Sequence, residues 1–448
     1  MRILFLTAHL PFPPASGGRR REFELISRLG NDFELHLCSL TESPDIDNKY
    51  AEKLRSYCES ISIFKTESLP TTNDTFRYPL LMKRYYSKEG INGISQLIKS
   101  SEFDIIHVEG SYLMQLIPED CPLPVLLVEH NVEYSICSQR LRLSISESDK
   151  SFHLQERNNT LLWEHSFWRR AKKIITLTLE DEKLIIELEP NVDVAFIPNG
   201  IDHYLTIDRT RVQQQYNNRV RSNSVPNIRT VENCPSILFV ANFAYDPNVD
   251  AAVYFCKQIL PLILKNVPDA KFFVVGNSPS TEIFDLASSS SRIYVNTSAL
   301  ANPNVQTINT HIEVTGYVDS LDPFYKFAKV VVCPLRIGGG IKVKILEALR
   351  AGKAIVTTPI GAQGFGLNNE ALCVCNQASD FANNVVRFLI NPVECHRQEE
   401  RALRFANMLP TWDQVKEQYV SCYEELASKQ LTTDIKLEDL KKSPLAYS

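Results

Sequence analysis

No stretch of this sequence reaches the roughly 18 consecutive apolar residues that a membrane-spanning helix needs. Nor does either basic or acidic charge dominate. Lys and Arg total 48 against 53 Asp and Glu, a net charge of -5, which argues against a general nucleic-acid binder. The G-x-G-x-x-G fingerprint is missing after the first strand-like run, so a nicotinamide oxidoreductase is the least favoured class. No short-period repeat is visible, which excludes solenoids. The 11 cysteines are odd in number and scattered, several inside apolar runs (Cys38, Cys256, Cys333), a pattern of reduced core thiols in a cytoplasm rather than of a disulfide framework. Cys373-Val374-Cys375 has no second ligand pair near it and reads as core packing rather than a metal site. Met1 to Leu10 lacks an A-x-A-type cleavage site before Gly17-Gly18 and runs at once into Pro11, Pro13 and Pro14. It reads as a first β-strand, not a signal peptide.

What is present is a chain of 448 residues, 44% apolar and 23% charged, long enough for two or three soluble globular domains. Its most informative stretch runs from 329 to 358. An apolar run of strand length (329–334) is closed by Pro334. Gly338, Gly339 and Gly340 follow, then a helix-length segment with Ile341, Ile345, Leu346 and Leu349 on one face, ended by Gly352. Ala354 to Thr357 completes a strand–loop–helix–strand unit of a parallel α/β sheet. Glycines there let the backbone approach a ligand, and free N–H groups at a helix start favour an anion. Lys342 and Lys344 sit where the helix dipole would prefer acids, which makes sense if something negative lies between them. Glu347, one turn on, could accept hydrogen bonds from sugar hydroxyls. Two readings stand: a tight connection with solvated lysines, or a grip on a diphosphate and its ribose.

Elsewhere βα alternation recurs. Arg2 to Ala8 reads as a buried strand, residues 11–18 as its outgoing loop, Arg19 to Leu29 as a helix, and Phe33 to Leu40 as a second strand. A ligand at the carboxyl ends of these strands would meet Ser16, Gly17 and Gly18. The Arg19-Arg20-Arg21 run suits an anionic acceptor, a membrane surface or a solvated helix end. Residues 50–100 read as helical. Strands are expected at 104–108 and 125–131, the second bringing His130 to its carboxyl end, where a histidine is either working or structural. A long helix at 151–172, a strand at 173–177 and a turn ending 194–202 close this half. Composition changes over 205–233, rich in Gln, Asn and Arg, which marks a linker. Strands at 236–240, 271–275 and 314–318, helices over 249–267, 322–328, 379–391 and 395–408, and a Ser/Asn-rich insertion at 286–312 make up the second half. An amphipathic helix over 411–427 and a loose tail, 428–448, finish the chain. The fold class expected is therefore α/β: a Rossmann-like domain over 1–204, completed by the helix 411–427, and a second over 234–410, with a cleft between them.

Several pieces in this order resemble the retaining glycosyltransferases of family 4, of GT-B architecture. They are Pro-Pro-Ala-Ser-Gly-Gly (13–18), Val-Glu-His-Asn-Val-Glu-Tyr (128–134), Ile-Pro-Asn-Gly-Ile-Asp (197–202), the segment 239–251, Val-Thr-Gly-Tyr-Val (314–318) and, strongest, Pro-Leu-Arg-Ile-Gly-Gly-Gly-Ile-Lys-Val-Lys-Ile-Leu-Glu-Ala (334–348). The subgroup is one common in polysaccharide assembly. The resemblance implies transfer of a sugar from a nucleotide-diphosphate donor, UDP- or GDP-linked, to a saccharide or lipid-linked acceptor, with retained configuration and neither cofactor nor essential metal. The reduced cysteines suit a cytoplasmic protein, and residues 19–28 suit peripheral contact at the inner face of the membrane. By similarity His130 stands near the donor sugar and Glu347 on the ribose. Gly338 to Gly340 with Lys342 or Lys344 would face the diphosphate, Gly17 and Gly18 would close over it, and the backbone at Tyr317 and Val318 would meet the base.

The chain also departs from the family pattern. Gly339 replaces the earlier glutamate of the usual pair, Ala241-Asn242 replaces the usual Gly-Arg, and Gln363 stands where the subgroup has Glu. The two lysines are then the candidates to neutralise the diphosphate. A GT-B protein that binds sugar nucleotides without catalysis, as a partner subunit, is the alternative these departures motivate; an epimerase of sugar nucleotides is a third reading.

Overall fold

Strands that are apolar on nearly every residue must be covered on both faces, and those of this chain form two fully parallel sheets flanked by helices. In the computed structural model the described residues are 1–14, 16–70, 77–201, 234–288, 292–293, 311–318 and 320–442. They fall into two compact units. One comprises Met1–Gly200, Gly339–Ile341 and Pro410–Ser448; the other comprises Ile201–Gly338 and Lys342–Leu409. The linker expected at 205–233, residues 443–448 and most of the insertion expected at 286–312 lie outside the described residues.

In the first unit the strands are β1 (Arg2–Thr7), β2 (Glu34–Thr41), β3 (Ser60–Lys65), β4 (Ile105–Glu109), β5 (Val125–Glu129), β6 (Lys173–Thr176) and β7 (Val194–Phe196), in the order β3-β2-β1-β4-β5-β6-β7. Helices α1 (Gly17–Leu29), α2 (Pro44–Ala51), α3 (Leu80–Arg84), α4 (Lys88–Ser100), α5 (Glu133–Leu143), α6 (Glu147–Arg170) and α7 (Leu179–Leu188) connect them. Alternate side chains of β1 serve opposite faces. Ile3 and Phe5 join Leu25, Ile26 and Leu29 of α1, while Leu4 and Leu6 join Phe167 and Trp168 of α6. The first face is closed by a terminal helix (Trp412–Lys442), which contributes Trp412, Val415, Tyr419, Tyr423 and Leu426. Gly200 is required where the two meet, because a Cβ there would stand 2.6 Å from the Trp412 backbone.

The second unit repeats the plan with β8 (Ser236–Val240), β9 (Lys271–Val275), β10 (Arg292–Ile293), β11 (Ile312–Gly316), β12 (Val330–Cys333), β13 (Ala354–Thr357) and β14 (Cys373–Val374), ordered β10-β11-β9-β8-β12-β13-β14. Its helices are α8 (Asp246–Tyr254), α9 (Leu260–Leu264), α10 (Thr281–Ser288), α11 (Asp322–Phe327), α12 (Val343–Arg350), α13 (Ala378–Ile390) and α14 (Pro392–Ala406). Phenylalanines knit its layers: Phe255 lies 4.3 Å from Phe272 and Phe273 4.8 Å from Phe327, ring centre to ring centre.

Some expectations need correction. Residues 50–100 are not wholly helical: β3 runs through Ser60-Ile61-Ser62-Ile63, a period-2 stretch whose isoleucines pack on the first core. Helices α5 and α7 went unread, since α5 begins inside the motif 128–134 and α7 opens with three acids that hide its apolar face. The stretch from Lys429 to Lys442 is helical rather than loose, as no glycine or proline interrupts the chain between Trp412 and Lys442. Helix α12 starts at Val343, not Ile341, because Gly338 and Gly340 hold positive φ and Lys342 is extended. No helix among the described residues is long and apolar enough to cross a membrane.

Candidate functional site

In a parallel sheet of this kind, ligands collect at the carboxyl ends of the strands where the strand order reverses. The reversals fall between β1 and β4 in the first unit and between β8 and β12 in the second. The chain leaving β1 carries Ser16, Gly17 and Gly18, and the chain leaving β12 carries Gly338 to Lys342.

Ser16 caps α1, its Oγ accepting from the Arg19 N–H at 3.4 Å. Gly17 and Gly18 form the first turn, and a Cβ on Gly18 would stand 3.7 Å from Nδ1 and Cε1 of His130. His130 follows β5 and is partly exposed. Its Nε2 bonds Glu109 Oε2, a contact from the end of β4. Glu109 is fully buried. Its Oε1 accepts from His107 Nε2 at 2.8 Å, and Arg21 Nε lies 3.7 Å from Oε2. Burial alone would raise the Glu109 carboxyl, yet hydrogen bonds from His107 and His130, with the charge of Arg21, hold it well below the usual range. Burial pushes His107 down and Glu22 up, the latter helped by repulsion from Glu109. Oε2 of the buried Glu22 has no hydrogen-bond partner.

Within the run 19–21, whose Arg19 and Arg20 are half-buried, Arg21 is not solvated. Its guanidinium is 1% exposed, donates to Asn199 Oδ1 at 2.6 Å and bonds the Tyr419 hydroxyl. Leu25 and Ile26 are buried too, while Arg19, Arg20, Phe23, Glu24, Ser27 and Arg28 are half-buried. One ligand atom from each of Glu22, Glu109 and His130 lies within 4.8 Å of the others, a grouping that could hold a metal ion. Against that use, the Glu109 carboxylate is already taken by two histidines with an arginine alongside.

In the second unit Lys342 is the N-cap residue of α12 and Lys344 lies in its first turn. Lys344 Nζ donates to Asn248 Oδ1 at 2.7 Å and sits 4.6 Å from the centre of the Phe239 ring. Burial lowers its pKa to about 8, a shift that Cys333 and Glu347 only partly oppose. Tyr325 donates to Glu347 Oε2 at 3.1 Å and is held as a phenol by burial and by that carboxylate. Asn248 also donates to the Asn242 carbonyl at 2.7 Å, while Asn242 Oδ1 accepts from its own loop at Ala244 N. Gly338 to Gly340 form the turn before α12, Gly339 and Gly340 grouping with the first unit. Tyr317 is exposed and Val318 half-buried after β11. Arg336, inside the strongest motif, is tied to Asp250 through Nε at 3.0 Å.

Sequence reasoning missed Asn248, Tyr325, Glu109 and His107, and read Arg21 only as part of a basic run. Only Asn248 carried a signal, following Asp246-Pro247 at a helix start; the others are single polar residues inside apolar runs or a basic run. The cysteines are all free, and Cys373 and Cys375 are 4.0 Å apart at Sγ, the first half-buried and the second buried.

Comparison with known proteins agrees with this architecture. Residues 234–391 match a family described as "Glycosyl transferases group 1". Over 406 residues the chain is 21% identical to an uncharacterized 44.6 kDa protein in the cps region of Klebsiella pneumoniae, covering 87% of this chain and 91% of that one. Its fold is similar to that of sucrose-phosphate synthase from Thermosynechococcus elongatus, with a TM-score of 0.66, 14% identity, and coverage of 96% and 100% of the two chains. It is similar also to Anabaena HepE in complex with UDP and glucose, with a TM-score of 0.61, 12% identity, and coverage of 95% and 100%. The fold is thus an α/β one of two Rossmann-like units with parallel sheets, that of GT-B glycosyltransferases. Together with the family match, this supports a sugar-transferring enzyme.

Proposed function

We propose that this protein is a retaining glycosyltransferase of family 4 that moves a sugar from a nucleotide-diphosphate donor, UDP- or GDP-linked, to a hydroxyl of a saccharide or lipid-linked acceptor in polysaccharide assembly. The observation that carries the reading is Lys344: an ammonium in the first turn of α12, half-buried, held by a neutral amide and an aromatic face. A cation kept in that state is suited to an anion that arrives with the substrate. It acts beside the backbone of Gly338 to Gly340, with Lys342 adding charge. Glu347, oriented by Tyr325, accepts from the ribose hydroxyls, and the segment at Tyr317 and Val318 takes the base.

As the anomeric carbon–oxygen bond to the diphosphate breaks, negative charge grows on the leaving oxygens, and Lys344 with the α12 amides stabilises it without a metal. The acceptor hydroxyl attacks on the same face. Its oxygen bonds the anomeric carbon and its proton passes to a leaving-group oxygen, so configuration is retained. His130, beside Gly18, serves a hydroxyl of the transferred sugar. The HepE complex with UDP and glucose and the cps-region relative favour this class of donor and setting.

A thermal-shift screen against UDP-, GDP-, ADP- and dTDP-sugars, with and without EDTA, tests the reading. One donor family should raise the midpoint equally in both conditions, and transfer to an oligosaccharide or polyprenyl-linked acceptor should follow with that donor. Stabilisation by no sugar nucleotide would overturn it. Binding without transfer to any acceptor would favour a non-catalytic partner subunit instead.

A further inference from the structure

Glu109 stands at the centre of a chain of hydrogen bonds that ends on His130. Tyr423, from the terminal helix, is kept as a phenol by burial, and its hydroxyl lies 2.5 Å from His107 Nδ1. His107 is kept neutral by burial, so with the tyrosine proton directed at Nδ1, its own proton sits on Nε2 and points at Glu109 Oε1, 2.8 Å away. The second oxygen of an ionised Glu109 can then only accept, and the atom it meets is His130 Nε2. The partners fix the direction of every proton in the row. The remaining nitrogen of His130, Nδ1, is the one that faces the Gly18 turn.

We propose that Glu109 is a positioning residue: it locks His130 in the tautomer protonated at Nε2, so that Nδ1 presents a lone pair beside the Gly17-Gly18 turn to accept a hydrogen bond from a hydroxyl of the transferred sugar. The inference rests on the functional reading of His130 given above and adds to it which nitrogen works and what sets it. A neutral, Nδ1-accepting imidazole selects a hydroxyl donor, whereas an imidazole in the other tautomer would offer an N–H and favour a carbonyl or a phosphate oxygen. The groups that face the pair are Arg21 and Glu22 from α1, His107 from β4, and Tyr419 and Tyr423 from the terminal helix. Of these, His107 by its hydrogen bond, with the charge of Arg21 behind it, holds the Glu109 carboxyl low, while burial and repulsion from Glu109 raise that of Glu22.

The test uses the full chain labelled with nitrogen-15 in histidine, observed by long-range proton–nitrogen correlation, with His130 assigned by its disappearance in His130→Gln. The expected pattern at neutral pH is a protonated Nε2 and a bare, strongly deshielded Nδ1. In Glu109→Gln the amide can donate to one ring and accept from only one, and the His130 pattern should invert or average. The same variant should lose at least about 10- to 100-fold in kcat with KM little changed, the loss typical of an orienting partner. A wild-type His130 protonated at Nδ1, or already averaging between tautomers, overturns the inference, and does so even if Glu109→Gln fails to fold. So does an unchanged His130 pattern in a folded Glu109→Gln. If the pattern is as expected but no sugar nucleotide binds or reacts, the ring is locked as inferred and it is the glycosyltransferase reading that fails.

Discussion

The two strand-order reversals solve the same problem in opposite ways. At the first, Glu109 is answered from within the protein by His107, His130 and Arg21, and Arg21 in turn by Asn199 and Tyr419. At the second, the ammonium of Lys344 meets a neutral amide and a ring, and burial depresses its pKa. A self-satisfied network holds shape whether or not a ligand is present. An under-compensated cation costs stability while the protein is empty and repays that cost when an anion binds. The first reversal is built for orientation and the second for capture.

Mutation should separate the two. Arg21→Met, which leaves Glu109 buried with one counter-charge fewer, should lower unfolding free energy by about 3–5 kcal/mol, read as a shift in urea midpoint. Lys344→Ala should leave the midpoint at or above wild type near neutral pH, because it removes a penalised charge, yet cut turnover on the order of 10²–10³-fold. A Lys344 variant that melts well below wild type would mean the two reversals are alike after all. Glu347→Gln should weaken nucleoside-diphosphate binding by about tenfold, the value of one charge-assisted hydrogen bond, measurable by calorimetric titration.

The gentlest probe is pH. In the first unit, burial raises Glu133 to about 7 and also raises Glu129 and Glu164, from an ordinary 4.5. Burial lowers His9 to about 4 and lowers His36 and His107 as well, which acts in the opposite sense below their ordinary 6.5, so the excess of protons on the folded unit, and the fall of its stability with rising pH, should be clearest between 6.5 and about 7. Lys344 works the other way. With its pKa lowered from 10.5 to about 8, the unfolded chain binds more protons across that range, so its contribution to stability should rise with pH there. All three tryptophans, Trp163, Trp168 and Trp412, lie in the first unit, so fluorescence follows that unit while circular dichroism follows both. Slopes on the order of 1 kcal/mol per pH unit are expected, of opposite sign in the two windows.

What the sequence made legible follows the same division. The second reversal is local: strand, three glycines, two lysines and a glutamate lie within one stretch, and helical spacing alone puts Lys344 and Glu347 on neighbouring turns of α12. Residues contributed by other elements, such as Asn248 from α8 and Tyr325 from α11, could not be read there, since nothing in their own neighbourhoods points to Lys344 or Glu347. At the first reversal His130 was visible because a histidine ending an apolar strand is conspicuous. Its partners were not. Glu109, Arg21 and Tyr423 lie far apart in the chain, and only the closed sheet brings them to one place. Strand β3 shows the matching limit for the fold. Its alternation is short, sits at a sheet edge and is flanked by helical patterns that outweigh it.

Trp412 lies against Gly200, and the helix it begins roofs the core built from β1 and α1. The earliest-made half of the protein is thus finished by a piece that leaves the ribosome some two hundred residues later. During synthesis that half waits with one apolar face uncovered. A stop codon near residue 410 would be felt not at the end of the chain but at its beginning.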